Sequence, residues 1–95
     1  MVFKWDITKA TANQKKHGVD FREAASVLDD TLSTTFPDPG NSRLERRYLT
    51  IGVSSRQRLL VVCHSEEGEE LRIISARRAT RRERRFYEEG SSARE

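Results

Sequence analysis

Between Arg58 and His64 the chain is almost unbroken hydrophobe, Leu59-Leu60-Val61-Val62-Cys63. A run this short, bounded by polar links, reads as a strand, and a strand without a polar side needs cover on both faces. Its neighbours supply the rest of a sheet. Upstream, Arg46 to Val53 alternates Tyr48, Thr50 and Gly52 against Leu49, Ile51 and Val53, and Ser54-Ser55-Arg56-Gln57 is a turn-sized link. Downstream, Glu66-Glu67-Gly68-Glu69 leads into a strand in which Leu71, Ile73 and Ser75 alternate with Arg72, Ile74 and Ala76. These features predict an antiparallel meander with the apolar strand in its middle.

Covering elements flank the meander. Val2, Phe3 and Trp5 read as a short edge strand, and Asp6 caps a helix predicted over Ile7–His17, which Gly18 stops. Asp20 with Glu23 forms a capping box for a second helix directing Phe21, Ala24, Ala25 and Leu28 inward and ending at Asp29-Asp30, with Val19 placed to staple onto Ala24. Leu32 to Phe36 reads as a further strand, broken by a loop Pro37-Asp38-Pro39-Gly40-Asn41 suited to mobility. Thr80 and Glu83 form another capping box and open a C-terminal helix. The fold class is α+β: a small antiparallel sheet, two N-terminal helices and one C-terminal helix. With 95 residues there is one domain, over 1–90, and a disordered tail at 91–95.

The net charge of +3 is modest, but arginine gathers in the C-terminal half. Arg72, Arg77, Arg78, Arg81, Arg82, Arg84 and Arg85 surround a strand end and a helix start, where backbone N–H groups also favour anions. A phosphate chain is the anion this pattern suits, against the plainer reading of a solvated helix face paired with Glu83, Glu88 and Glu89. Arg72 stands apart, because it lies inside a strand beside Ile73 and Ile74. Cys63 is the only cysteine and falls in the apolar run, so it reads as buried and inert, with no intramolecular disulfide or thiolate zinc site. No apolar run is long enough to span a membrane and there is no secretory start, which gives a cytoplasmic reading.

Register then decides what converges. Pairing Val53 with Arg58 places Arg47 opposite His64, and pairing Ser65 with Leu71 places His64 opposite Arg72, forming one cross-strand row. Glu45 and Glu66 lie at the same end of the sheet. A base that deprotonates the ribose 2′-OH, arginines that hold the developing phosphate charge and an acid for the leaving oxygen are what RNA cleavage without a metal requires. His64 or Glu45 would move protons. The alternative is that His64 only caps the strand by hydrogen bonding. Trp5 is either a base-stacking residue or core.

Phe3-Lys4-Trp5-Asp6, Lys9, Asn13, Lys16-His17-Gly18-Val19, Phe21-Arg22-Glu23-Ala24, Thr50-Ile51-Gly52, Leu59-Leu60-Val61-Val62 with His64, and Arg72-Ile73-Ile74-Ser75-Ala76-Arg77-Arg78-Ala79 together resemble the BrnT family, toxins of bacterial type II toxin–antitoxin pairs. The resemblance implies a RelE-like ribonuclease fold and metal-independent RNA cleavage that stops translation, with no cofactor. It also implies neutralisation by a ribbon-helix-helix BrnA-type antitoxin in a heterotetramer that meets operator DNA only as the complex. On the matching positions, His64, Glu45, Arg72 and Arg77 are the candidate catalytic residues, and Lys4, Trp5, Arg47 and Arg78 the candidate RNA contacts. Two other readings stay open: a non-catalytic nucleic-acid-binding or regulatory module using the same arginines, and an interaction protein whose basic helix docks an acidic partner.

Overall fold

A computed structural model describes residues 2–38 and 46–93. Five strands and three helices follow in the order β1 (Val2–Lys4), α1 (Ile7–His17), α2 (Phe21–Ser26) with a 3-10 turn (Val27–Asp29), β2 (Thr34–Pro37), β3 (Arg47–Val53), β4 (Leu59–Glu67), β5 (Glu70–Arg78) and α3 (Arg81–Ala93). The strands form one sheet, β1-β5-β4-β3-β2, with the apolar strand β4 at its centre. The sheet is mixed and not purely antiparallel, because β1 lies parallel to β5 along its edge. Three residues of edge strand carry no pattern that tells one pairing direction from the other.

The predicted helix ends hold where a side chain or backbone device fixes them. Asp6 accepts from the Lys9 N–H at 3.1 Å, and Gly18 takes φ 69° to close α1, its N–H donating to the Gln14 carbonyl. Thr80 and Glu83 exchange the two bonds of a capping box at 2.8 and 3.1 Å. The box expected at Asp20 is half made. Asp20 caps the Glu23 N–H at 2.7 Å, but the Glu23 carboxylate turns inward. There it takes Ser54 Oγ at 2.7 Å, Arg58 Nε at 2.8 Å and a short contact from Arg58 Nη2. Arg58 also reaches the Gly18 carbonyl at 3.0 Å, so one buried ion pair ties the first hairpin to both N-terminal helices. α3 continues to Ala93, three residues into the segment expected as tail, while 94–95 lie outside the described residues. Most of the loop after Pro37 also lies outside them.

Both faces of β4 are covered, as its composition demands. Against one face, Val19, Phe21, Ala24 and Val27 from the N-terminal helical layer pack on Leu60, Val62, Leu71, Ile73 and Ala76. Against the other, Ile51, Leu59 and Val61 meet Phe36, Leu49, Val53 and Tyr87. Asn13 clamps α1 to β5: its Nδ2 donates to the Val19 and Ala76 carbonyls at 2.9 Å, and Ala76 N donates back to Oδ1 at 3.1 Å. Tyr87 Oη and the Val53 N–H both donate to Asp30 Oδ2, at 2.6 and 2.8 Å, which pins α3 over β3. The α3 cover centres on the β3–β4 turn end of that face. The opposite end carries Arg47, Ser65 and Arg72.

The hairpin registers differ from those expected, each by one residue. Ser54 N donates to the Arg58 carbonyl at 2.8 Å, leaving a three-residue loop closed by Gln57 at φ 63°, so Val53 pairs with Leu59 and not with Arg58. At the other end Glu67 pairs with Glu70 around a two-residue turn with Gly68 at φ 61°, so Ser65 pairs with Arg72 and not with Leu71. A bulge between Cys63 and His64 adds a third departure. It interrupts the alternation along β5 and brings Ala76 into the core beside Leu71 and Ile73.

Candidate functional site

These register shifts rebuild the expected constellation around a different centre. Arg47 pairs with Ser65, and Ser65 pairs with Arg72, so the two arginines share a cross-strand row with a serine between them. His64 is not in that row. It pairs with Tyr48 on one side and Ile73 on the other, and alternation turns its side chain to the opposite face.

The Arg47–Ser65–Arg72 row opens into a cavity of about 600 Å³ whose other walls are Lys9, Arg46, Glu66, Glu67 and Ile74. Four cations and two carboxylates therefore meet at the end of the sheet where β3 begins and β4 ends. Arg72 is exposed and makes no ion pair among the described residues. It also borders a second, shallower cleft of about 420 Å³ with Phe3, Lys4, Trp5 and Ile7. A polyanion lying in the first cavity can thus run across Arg72 towards an aromatic surface.

His64 is only 1% exposed. Its Nε2 lies 2.7 Å from Thr50 Oγ1, which in turn lies 2.7 Å from Thr35 Oγ1. Tyr48 stacks on the ring with centroids 5.9 Å apart. Burial pushes the imidazole pKa below its ordinary value, and nearby Glu66 offsets this in part. Nδ1 is buried without a hydrogen bond among the described residues, and the nearest carboxylate oxygen, Glu66 Oε1, is 3.9 Å away. A ring so enclosed cannot reach a ribose hydroxyl in the cavity.

The remaining candidates divide. Glu45 lies outside the described residues. Both terminal nitrogens of Arg77 donate to Glu83, at 2.7 and 2.8 Å. That fork-to-fork pair lowers the Glu83 carboxyl to about 2 and raises the Arg77 guanidinium above its ordinary range. Arg78 is exposed but pairs with Leu60, at the other end of β5 from Arg72. Lys4 pairs at the surface with Glu70 at 2.7 Å. Trp5 packs edge-on against Phe21, centroids 6.2 Å apart, and is half-buried beside the core, with part of it still facing the shallow cleft.

Lys9, Arg46, Ser65 and Glu67 were not expected as cavity residues. Arg46 and Ser65 adjoin Arg47 and His64 in sequence, so the correct register alone would have found them. Lys9 is legible only once the Asn13 clamp places α1 beside β5.

Comparison with known proteins follows the same outline. The family model for the ribonuclease toxin BrnT of type II toxin–antitoxin systems matches residues 5–83. The crystal structure of the Brucella abortus ribonuclease toxin BrnT is similar, with 27% sequence identity, a TM-score of 0.66, and coverage of 85% of this chain and 100% of that one. No curated protein sequence matches.

Proposed function

Because this chain belongs to the BrnT family of type II toxin–antitoxin ribonuclease toxins, we propose that the cavity at the open end of its sheet binds and cleaves RNA without a metal. The observation that carries this reading is the in-register row Arg47–Ser65–Arg72, facing a cavity that also holds Lys9, Arg46 and two carboxylates. A ribose 2′-oxygen attacking its own phosphate spreads charge over the phosphoryl oxygens, and Arg72 and Arg47 are placed to meet it. Proton transfer falls to Glu66 or Glu67, which line the cavity, or to Glu45, which adjoins Arg46 in sequence, because His64 is walled off. Trp5 and Lys4 extend the surface along the RNA, with a base resting against the exposed part of the indole. The biological outcome is inhibition of translation, on a RelE-like ribonuclease fold. A ribbon-helix-helix antitoxin of the BrnA type, in a heterotetramer, relieves it.

One observation favours a second reading. The enclosure of His64 removes the side chain best suited to titrate near neutral pH, and a binding module would use the same arginines without turnover. Incubating bulk RNA with the purified protein in chelator, wild type beside Arg72→Ala with folding checked for each, separates them. Cleavage by wild type that is lost in the folded variant is expected. RNA binding by wild type without cleavage, even with ribosomes added, would establish the binding module instead.

A further inference from the structure

His64 is the least explained polar group in the described structure. Its ring fills a core position on the face away from Arg47 and Arg72, where an aliphatic side chain would pack without desolvating two nitrogens. One nitrogen is satisfied by Thr50 and the other is not. The orphaned Nδ1 faces Glu66 Oε1 at 3.9 Å, and Glu66, its side chain 40% exposed, is also among the residues that line the cationic cavity. That is its one ion-pair contact among the described residues. Glu67 lines the same cavity, but no hydrogen bond or ion pair among the described residues holds it.

We propose that Glu66 is the catalytic base of this site and that His64 is its positioning residue, reaching it through Nδ1 from inside the sheet. The assignment rests on the ribonuclease reading above and selects among its carboxylates. The hydroxyl chain is compatible with a proton on Nδ1. The two contacts allow either direction, and in the proposed one Thr35 donates to Thr50 and Thr50 to His64 Nε2, so that the ring proton sits on Nδ1, pointing at an anion. The reverse order would leave a bare Nδ1 lone pair buried against a carboxylate. A contact of 3.9 Å closes to a hydrogen bond with a small rotation of Glu66, the tightening that catalytic contacts show when substrate arrives. In the reaction Glu66 takes the 2′-OH proton as the O2′–P bond forms and the P–O5′ bond breaks. That proton returns through solvent to the departing 5′ oxygen, so no co-reactant is consumed.

The test uses the full chain and a defined oligoribonucleotide, with kcat and KM measured separately. Glu66→Gln should lower kcat by ~10² or more and leave KM unchanged. His64→Asn keeps an N–H near the Nδ1 position, whereas His64→Gln keeps one near Nε2; the first should retain kcat within about threefold and the second should lose about tenfold. Neither substitution should move KM. Nitrogen NMR of the wild-type ring, without RNA, should show Nδ1 protonated and its resonance displaced in Glu66→Gln. Cleavage by folded Glu66→Gln at the wild-type rate overturns the proposal while the ribonuclease reading stands. Equal loss in the two His64 variants, or an Nδ1 without its proton, overturns the positioning role, and the NMR result decides if either variant fails to fold. No cleavage by folded wild type removes both readings together.

Discussion

Arg72 and Arg77 lie at opposite ends of β5, and the sequence makes both candidates to hold a phosphate. The structure treats them differently. Arg77 meets Glu83 through both terminal nitrogens, and the acid that caps α3 thereby neutralises the arginine beneath it. Arg72 opens into a cavity with Lys9, Arg46 and Arg47, where cations outnumber carboxylates. An arginine with its fork occupied is a structural brace, and one without a carboxylate beside it keeps its donors for a ligand. The first hairpin repeats the braced case more deeply, with Arg58 and Ser54 closing on buried Glu23. Charge at the β3–β4 turn end holds the fold together. At the other end Arg72, with no ion pair among the described residues, keeps its donors for a ligand.

The largest effect that would sharpen this contrast is on stability. Arg58→Ala leaves the Glu23 carboxylate, 2% exposed, with only the more distant Arg56 at 4.0 Å, and should cost about 3–5 kcal/mol in urea unfolding. Its folded fraction should cleave RNA normally. Arg72→Ala should do the reverse, lowering kcat by ~10², which corresponds to about 2.7 kcal/mol of transition-state stabilisation, with unfolding free energy changed by less than about 0.5 kcal/mol. An Arg72 variant that unfolds easily, or an Arg58 variant that folds as wild type, would erase the distinction between the two ends.

Much of this arrangement could be read before any coordinates. Asp6 and Gly18 bound α1, Thr80 with Glu83 starts α3, and the apolar run from Leu59 marks the central strand. These features are legible because each rests on a local device with a side-chain signature. The site was legible as composition, arginines around a strand end, and not as geometry. Register depends on whether a turn has three residues or four, and here that turned on Gln57 adopting φ 63°, a conformation its residue type does not advertise. The slip moved His64 out of the row and put Ser65 in. The Arg77–Glu83 pair stays hidden for a related reason: the spacing shows Glu83 as a cap, but not that its carboxylate also lies over β5.

Smaller effects test the braced arginine itself. Arg77→Ala should destabilise by about 1 kcal/mol, since the pair is bidentate but partly exposed, and cleavage should stay within about twofold of wild type. A loss of cleavage matching that of Arg72→Ala would return Arg77 to the site and undo the comparison.

The finest probe of the same pair is pH. Glu83 titrates in the folded protein at about 2, against 4.5 as its ordinary value, so the unfolded chain binds a proton first as the solution is acidified. The stability it contributes is fully present above about 4.5 and drains away as pH falls from there through about 2. Glu83→Gln, unable to titrate, should therefore be less stable than wild type at neutral pH, and the gap should narrow steadily across that window. Glu23 is lowered in the same sense and must be left intact in both proteins, so that its own acid loss cancels in the difference. A gap that stays constant down to the lowest pH would mean that Glu83 stabilises the fold by its uncharged contacts and not by its charge. Arg77 would then be no better neutralised than Arg72.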